Sequence, residues 1–297
     1  MDISRVKGAL LGLACGDAVG TSLEFKMRGT FEPISDMIGG GKFNLKPGQW
    51  TDDTSVALCL AESLIEHEGV NLHDQMERYC KWYQHGYLSS TGECFDIGAT
   101  MMLELDKYIA SSKIDNSPAN DFNSGNGALM RLAPVAMAYR MDRTTAVENA
   151  VLATSTTHRA RECIESSALF CEILVKAFTV VSKKEILDCL PVYDEPEVNQ
   201  LASMKYLLKL EDYMLGGGYV IDSLASALYA FNKGNSFDDC VLIAANMGND
   251  ADTTAAICGQ VAGAYYGVNG IPKHWLNKLS HYDLINEKAE ALYQLEL

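Results

Sequence analysis

The first twenty residues carry a glycine at every fourth position: Gly8, Gly12, Gly16 and Gly20. A glycine inside a helix costs about 1 kcal/mol relative to alanine, so four of them need a structural reason. A spacing of four places them on nearly one face of a helix. A face without side chains lets another backbone approach closely. Near the other end of the chain, Ala255, Gly259 and Gly263 form a matching small face. The expectation is that these two segments are helices in close contact at the centre of the fold. The competing reading is that some of the glycines only end or bend the first helix, with Gly20 as the one that ends it.

The rest of the chain is also helical in pattern. Val56, Leu60 and Leu64 fall on one face of a segment spanning about 53–66. Similar stripes recur at 72–85, 97–110, 128–139, 144–155, 161–181, 219–231, 238–246 and 253–266. Strand-like alternation is scarce and no fixed-period repeat is visible, so an all-α fold of about ten or more helices is expected rather than a solenoid. No Pro/Gly/Ser-rich linker divides the 297 residues, which are therefore read as a single domain, 1–297. Two stretches, 26–50 and 111–127, are rich in turn residues.

Composition excludes several function classes. Apolar runs stay well below the roughly 18 residues of a membrane span. Arg5 and Lys7 precede an apolar stretch, but Asp17 and Glu24 stand where a signal cleavage site should lie, so this segment is read as a first helix. Nine cysteines with no CxxC are expected to be reduced, buried thiols of a cytoplasmic protein. A net charge of −15 argues against non-specific nucleic-acid binding. A membrane association is not expected, and the chain is read as a monomer.

Two short motifs carry the chemistry. Residues 48–55 read GQWTDDTS, and residues 247–254 read MGNDADTT. Each precedes a helical stripe, so N-capping explains either one alone. Together they bring paired carboxylates with threonine to two helix starts about 200 residues apart. Four such carboxylates in one place repel unless a cation neutralises them. Thr51, Asp52, Asp53, Asp250, Asp252 and Thr253 are all hard oxygen donors, which suits Mg²⁺ or Mn²⁺, or Ca²⁺, and speaks against zinc. The EF-hand reading of NDADTT fails because the later ligands and the terminal Glu are absent. A third motif, GNGALMR at 125–131, is read as a glycine-rich helix start offering backbone N–H groups to an anion. No histidine sits in a catalytic-triad setting, and Cys15 and Cys94 have no evident activating base.

In order along the chain, GALLGLACGDAVGTSLEF, PGQWTDDTS, FDIGAT, GNGALMRLAP, THRARECIESS and GNDADTTAAICGQVAGAYYG resemble the ADP-ribosylglycohydrolase family. The sequence is similar to its dinitrogenase reductase-activating glycohydrolase branch and, more distantly, to the ADP-ribosyl-arginine and ADP-ribosyl-serine hydrolases. The resemblance spans about residues 5–275. It implies a compact, orthogonal multi-helical bundle with a binuclear Mg²⁺ or Mn²⁺ centre, held by the same six residues of the two acidic motifs. It implies hydrolysis of the glycosidic bond between ADP-ribose and an acceptor on an ADP-ribosylated protein.

Within that resemblance Asp96 matches a carboxylate over the anomeric centre, against the alternative that it caps helix 97–110. Glu24 matches a mobile catalytic glutamate, against a surface carboxylate on a flexible segment. Gly125, Asn126 and Gly127, with Met130 and Arg131, resemble a diphosphate loop, although Arg131 is equally read as pairing with a nearby carboxylate. His158 matches a histidine near the distal ribose and phosphates, against a structural histidine. Tyr219 fits a platform for adenine, against core packing. Asp17 is read either as orienting metal-bound water or as a helix-end polar residue. The FDIG setting of Asp96 favours arginine-linked ADP-ribose. The alternatives are a serine, nucleic-acid-base or small-metabolite linkage, or a non-catalytic ADP-ribose-binding or crystallin-like protein. Acceptor choice is expected to lie in loops 26–47 and 111–124.

Overall fold

A computed structural model describes residues 1–115, 124–188, 190–208, 214–295 and 297. The described residues form α1 (Ile3–Gly20), α2 (Asp52–His67), α3 (Leu72–His85), α4 (Ala99–Ser111), α5 (Ala133–Ala138), α6 (Arg143–Ser155) and α7 (Arg161–Ala177). They continue with α8 (Lys183–Leu187), α9 (Pro196–Ala202), α10 (Val220–Lys233), α11 (Phe237–Ala245), α12 (Ala251–Tyr266), α13 (Lys273–Lys278) and α14 (Tyr282–Gln294). The fold is all-α; among the described residues the only β pairing is two isolated bridges, Gly40 with Leu45 and Gly125 with Tyr219.

α1 and α12 form the central pair. Every residue of α1 from Gly8 to Gly20 is buried, as is every residue of α12 from Ala251 to Ala264. Helices covered on all sides occupy a core, and α2, α5, α7, α10, α11 and α14 pack around these two. The glycine stripe sets the approach. A methyl group on Gly8, Gly12, Gly16 or Gly20 would overlap the carbonyl of Gly263, Gly259, Ala255 or Ala251, respectively. Rising numbers on one helix meet falling numbers on the other, so the pair is antiparallel. Gly20 is the last residue of α1 and also lies against α12, so both readings of it hold.

This register places the C-terminal end of α1 beside the N-terminal end of α12. A buried Asp17 then ties in α2. Its carboxylate accepts the backbone N–H groups of Thr51 and Thr54 at 2.9 and 3.0 Å and their hydroxyls at 3.0 and 2.6 Å. Asp17 therefore caps α2 from another helix, and Thr51 makes no side-chain cap of its own.

Several expected boundaries move. The stripe at 128–139 yields a helix only over Ala133–Ala138, because residues 127–131 form a turn closed by the Leu129 N–H on the Asn126 carbonyl at 2.8 Å. The anion site expected at a helix start in GNGALMR is thus a turn instead. α4 begins at Ala99, and α7 ends at Ala177 rather than 181. α13 and α14 were not among the expected stripes; α14 buries only Ile285, Ala289 and Leu292 on a charged helix. Residues 26–50 are irregular, as expected. Among the described residues eight cysteines form no disulfide, seven of them buried and Cys94 partly so; Cys189 lies outside the described residues, as do positions 116–123 of the 111–124 loop. Among the described residues no helix is long and apolar enough to cross a membrane.

Candidate metal centre and active site

The two acidic motifs meet. Thr51 Oγ1 lies 3.1 Å from Asp53 Oδ2 and 3.4 Å from Asp252 Oδ2, joining helix starts 201 positions apart. Oxygens of Asp17, Asp53 and Asp252 all lie within 4.8 Å of one another, and so do oxygens of Glu24, Asp96 and Asp252. Asp252 belongs to both groups. The positive ends of α2 and α12 point at these carboxylates and partly offset their mutual repulsion.

N-capping does not account for the motifs. Neither Thr51 nor Asp250, the residues preceding α2 and α12, makes a side-chain cap. Asp96 does not cap α4 either, since Gly98 occupies that position. Glu24 is no surface carboxylate: it is 5 % exposed. Its loop is fixed by the Phe25 N–H on the Asn249 carbonyl at 2.6 Å and the Asn249 N–H on the Lys26 carbonyl at 2.8 Å. Phe25, Asp96 and Asn249 all have left-handed backbones, with φ of 59°, 63° and 57°. For non-glycine residues such conformations are uncommon and cluster at functional sites.

The site is strongly anionic. Among the described residues none of its seven carboxylates (Asp17, Glu24, Asp52, Asp53, Asp96, Asp250 and Asp252) is ion-paired with Lys or Arg. Burial, reinforced by neighbouring carboxylates, pushes Asp250 and Asp252 up to about 7 and Asp96 up to about 6. Burial likewise raises Glu24, Asp52 and Asp53. Burial raises Asp17 to about 6 against the opposing pull of its four hydrogen bonds. Asp53 Oδ1, Glu24 Oε2 and Asp96 Oδ2 are buried with no hydrogen-bond partner. Orphaned carboxylate oxygens in a crowded, hard-oxygen donor set are what a divalent cation would satisfy. The clustered acidic residues can hold metal.

A cavity of about 590 Å³ opens over this floor. Asp52, Asp250, Thr253, Glu24 and Asp96 line it, while Thr51, Asp53, Asp252 and Asp17 are not part of its lining. Gly125, Asn126, Gly127 and His158 line it as well. Asn126 Nδ2 donates to Asp250 Oδ2 at 2.8 Å and to Ser223 Oγ at 2.7 Å, tying the glycine-rich turn to the acidic group.

Two expected ligand-binding residues are placed elsewhere. Arg131 is 1 % exposed and lies behind the wall, with its guanidinium 4.9 Å from the Tyr79 ring centre and Nη2 donating to Thr157 Oγ1 at 2.6 Å. Neither the diphosphate role nor a carboxylate pairing fits that position. Tyr219 is absent from the cavity lining; its hydroxyl donates to Glu197 Oε2 at 2.5 Å, and its backbone bridges Gly125. Sequence reasoning missed Thr54, Asn249 and Thr157. Thr54 and Asn249 lie inside the quoted motifs, and Thr157 adjoins His158, so adjacency was the available signal.

Comparison with known proteins agrees with this architecture. The family model for ADP-ribosylglycohydrolase matches residues 2–297. The chain is 38 % identical over 291 residues to the ADP-ribosylarginine hydrolase Tri1 of Pseudomonas putida, covering 98 % of this chain and 78 % of that protein. It is 31 % identical over 280 residues to the ADP-ribosyl-[dinitrogen reductase] glycohydrolase of Rhodospirillum rubrum, covering 93 % and 90 %. A solved structure described as an ADP-ribosylglycohydrolase-related protein complex superposes with a TM-score of 0.86 at 37 % identity, covering 99 % of each chain. With the glycine-paired central helices, the two acidic helix starts and the cavity above them, these matches show that the chain belongs to the ADP-ribosylglycohydrolase family.

Proposed function

We propose that this protein is a hydrolase that cleaves the N-glycosidic bond between ADP-ribose and the arginine side chain of an ADP-ribosylated protein. The observation that carries this reading is the set of partnerless, buried carboxylate oxygens on the floor of a cavity large enough for a nucleotide-sized ligand. Support for the arginine linkage comes from the relatives named as acting on ADP-ribosylarginine.

The residues fit two Mg²⁺ or Mn²⁺ ions, with Thr51, Asp52, Asp53, Asp250, Asp252 and Thr253 as their ligands. Bound there, the ions would polarise ribose hydroxyls and lower the pKa of a water. Glu24 and Asp96 hold the attacking water over the anomeric carbon and accept its proton as the C–N bond breaks. The departing guanidine is a strong base that takes this proton from the carboxylate and leaves as guanidinium, so water is divided between the two products and the carboxylates end as they began. Gly125, Asn126 and Gly127 leave room for the diphosphate, and His158 faces the same space.

The direct contact between α1 and α12, from opposite ends of the sequence, supports one catalytic domain over 1–297. Largely buried cysteines outside any disulfide fit the reducing cytoplasm.

The test is release of ADP-ribose from an ADP-ribosyl-arginine peptide with Mg²⁺ or Mn²⁺, followed chromatographically. Release is expected, with loss on chelation and recovery on re-addition. Asp96→Asn and Glu24→Gln should each lower turnover at least about a hundredfold with metal content unchanged. Release from a serine linkage alone would reject the arginine assignment, and full turnover in both variants would reject the residue roles.

A further inference from the structure

From the cavity-lining His158 a chain of three side chains runs back into the interior, and its donors and acceptors can be counted. Arg131 Nη2 is 2.6 Å from Thr157 Oγ1, and the same oxygen is 2.8 Å from His158 Nδ1. All three residues are buried, at 1 %, 2 % and 2 % exposure. The guanidinium is held from its other sides by the Tyr79 ring and by Met101 Sδ at 3.6 Å.

A guanidinium only donates, so one lone pair of Thr157 Oγ1 is taken by Arg131. The hydroxyl has a single proton, and His158 Nδ1 is its remaining partner. If Nδ1 carried a proton, Thr157 Oγ1 would accept twice and its own proton would be stranded in the interior. The arrangement is satisfied only when Nδ1 accepts. A doubly protonated ring fails for the same reason, and burial together with Arg131 and Arg159 lowers the His158 pKa to about 3.

The other ring nitrogen points the opposite way. A methyl group built on Gly127 would sit 3.0 Å from His158 Nε2, and one on Gly125 would sit 3.7 Å away. These glycines and His158 line the cavity, and Nε2 has no hydrogen-bond partner among the described residues. The absence of side chains at 125 and 127 leaves that edge open to a ligand.

We infer that Arg131 and Thr157 are positioning residues that lock His158 as the neutral Nε2–H tautomer, presenting one hydrogen-bond donor to an acceptor oxygen of the bound ligand. The assignment of that oxygen to the phosphate or ribose of ADP-ribose rests on the proposed function; the tautomer does not. His158 then recognises the ligand as a dipole, without contributing a charge to the diphosphate. Arg131 acts on the ligand only through Thr157 and His158.

The test is two-bond ¹H–¹⁵N correlation NMR of the Mg²⁺-loaded protein labelled with ¹⁵N-histidine, the His158 ring being identified by its loss in His158→Gln. The expected pattern has a protonated Nε2 and a bare Nδ1 at neutral pH. Thr157→Ser keeps this pattern, and Thr157→Val converts the ring to the other tautomer or to a mixture. Calorimetry with free ADP-ribose should show about five- to tenfold weaker binding for Thr157→Val and near-native binding for Thr157→Ser. With an ADP-ribosyl-arginine peptide the loss should fall mainly on KM. An Nδ1–H tautomer in the unmodified protein, or an unchanged spectrum in Thr157→Val, overturns the inference. If the expected tautomers are seen but ADP-ribose does not bind the unmodified protein, the inference stands and the functional reading falls.

Discussion

Replacing Gly12 by alanine sets two ordinary effects against each other. In an isolated helix the change is favourable by about 1 kcal/mol, because alanine loses less backbone freedom on folding. In this fold the added methyl would overlap the Gly259 carbonyl of α12 and sit 3.0 Å from Phe237 Cε2. A carbon normally keeps about 3.3 Å or more from a carbonyl oxygen, so the helices must part by about 1 Å at that point. The Gly259 oxygen belongs to a hydrogen-bonded helix and cannot swing aside as a side-chain end does. A gap of that size forfeits a quarter to a half of each dispersion contact along the seam. Overpacking of this kind costs about 1–3 kcal/mol, and the lost seam contacts take the total to the upper end or past it. After the propensity gain, the net loss is about 2 kcal/mol. For a chain of this length the unfolding entropy is about 0.6 kcal/mol per kelvin, so Tm should fall by about 3 °C. Urea unfolding should show a lower midpoint at an unchanged slope. Gly217→Ala is the control: nothing lies within 4 Å of the added methyl, and its effect should stay within about 0.5 kcal/mol. A Gly12→Ala protein more stable than its parent would refute the close-approach argument.

Three further variants have outcomes fixed by the structure. Asp17→Ala should cost about 2–4 kcal/mol in urea unfolding, since two buried N–H groups and two hydroxyls of α2 lose their acceptor. Asp252→Asn should abolish both phases of a calorimetric Mg²⁺ titration, because Asp252 belongs to both carboxylate groups; loss of one phase only would refute the sharing. The same variant should be more stable than its parent in chelator by about 1 kcal/mol, as one of the crowded carboxylates is neutralised, and should lose that advantage in excess Mg²⁺. Partial burial pushes Asp36 up, but hydrogen bonds from Lys278, Trp275, the Met37 backbone and His274 outweigh it and hold its carboxyl well below the usual range. A depressed pKa means the unfolded chain binds the proton first, so this contribution is present above about pH 4 and is lost as pH falls below it. Asp36→Asn should therefore flatten the acid limb of the Tm–pH curve, and an unchanged limb would show that the cluster is not formed.

What was legible in the sequence was whatever a residue's own chemistry fixes. A glycine every four positions has few uses besides a close backbone approach, so α1 and its partner could be paired before any contact was seen. Paired carboxylates at two helix starts are costly enough that their meeting could be inferred from residue types. Arg131 shows the limit. A cation in a glycine-rich motif reads as an anion ligand, and nothing local announces that Tyr79, 52 positions earlier, will stack on it behind the cavity. Tyr219 fails in the same way, because its hydroxyl partner Glu197 comes from α9. The stripe at 128–139 misled because Asn126 is held by the Gly218 carbonyl at 3.2 Å, a long-range contact that imposes a turn on residues that would otherwise continue a helix. α14 was missed because three buried residues on a charged helix make a weak stripe.

The small-residue seam and the acidic floor are parts of one device. Along the seam the paired positions, 8 with 263, 12 with 259, 16 with 255 and 20 with 251, sum to a constant, so one register is used throughout. The last of these contacts is the one adjoining the site: Gly20 lies against Ala251, four residues before Glu24 and one before Asp252. An α-helix advances about 1.5 Å per residue. Metal–oxygen bonds in such sites are about 2.0–2.1 Å for Mg²⁺ and tolerate little error. A slip of one residue between α1 and α12 would therefore displace Asp17, and with it the Thr51 that it holds, from Asp252 by most of a coordination bond length. A methyl group on either seam blocks the native register and favours such a displacement. Substitutions at Gly16 or Gly20 should thus weaken metal binding more than substitutions of equal stability cost at Gly8, which lies at the far end of the pair.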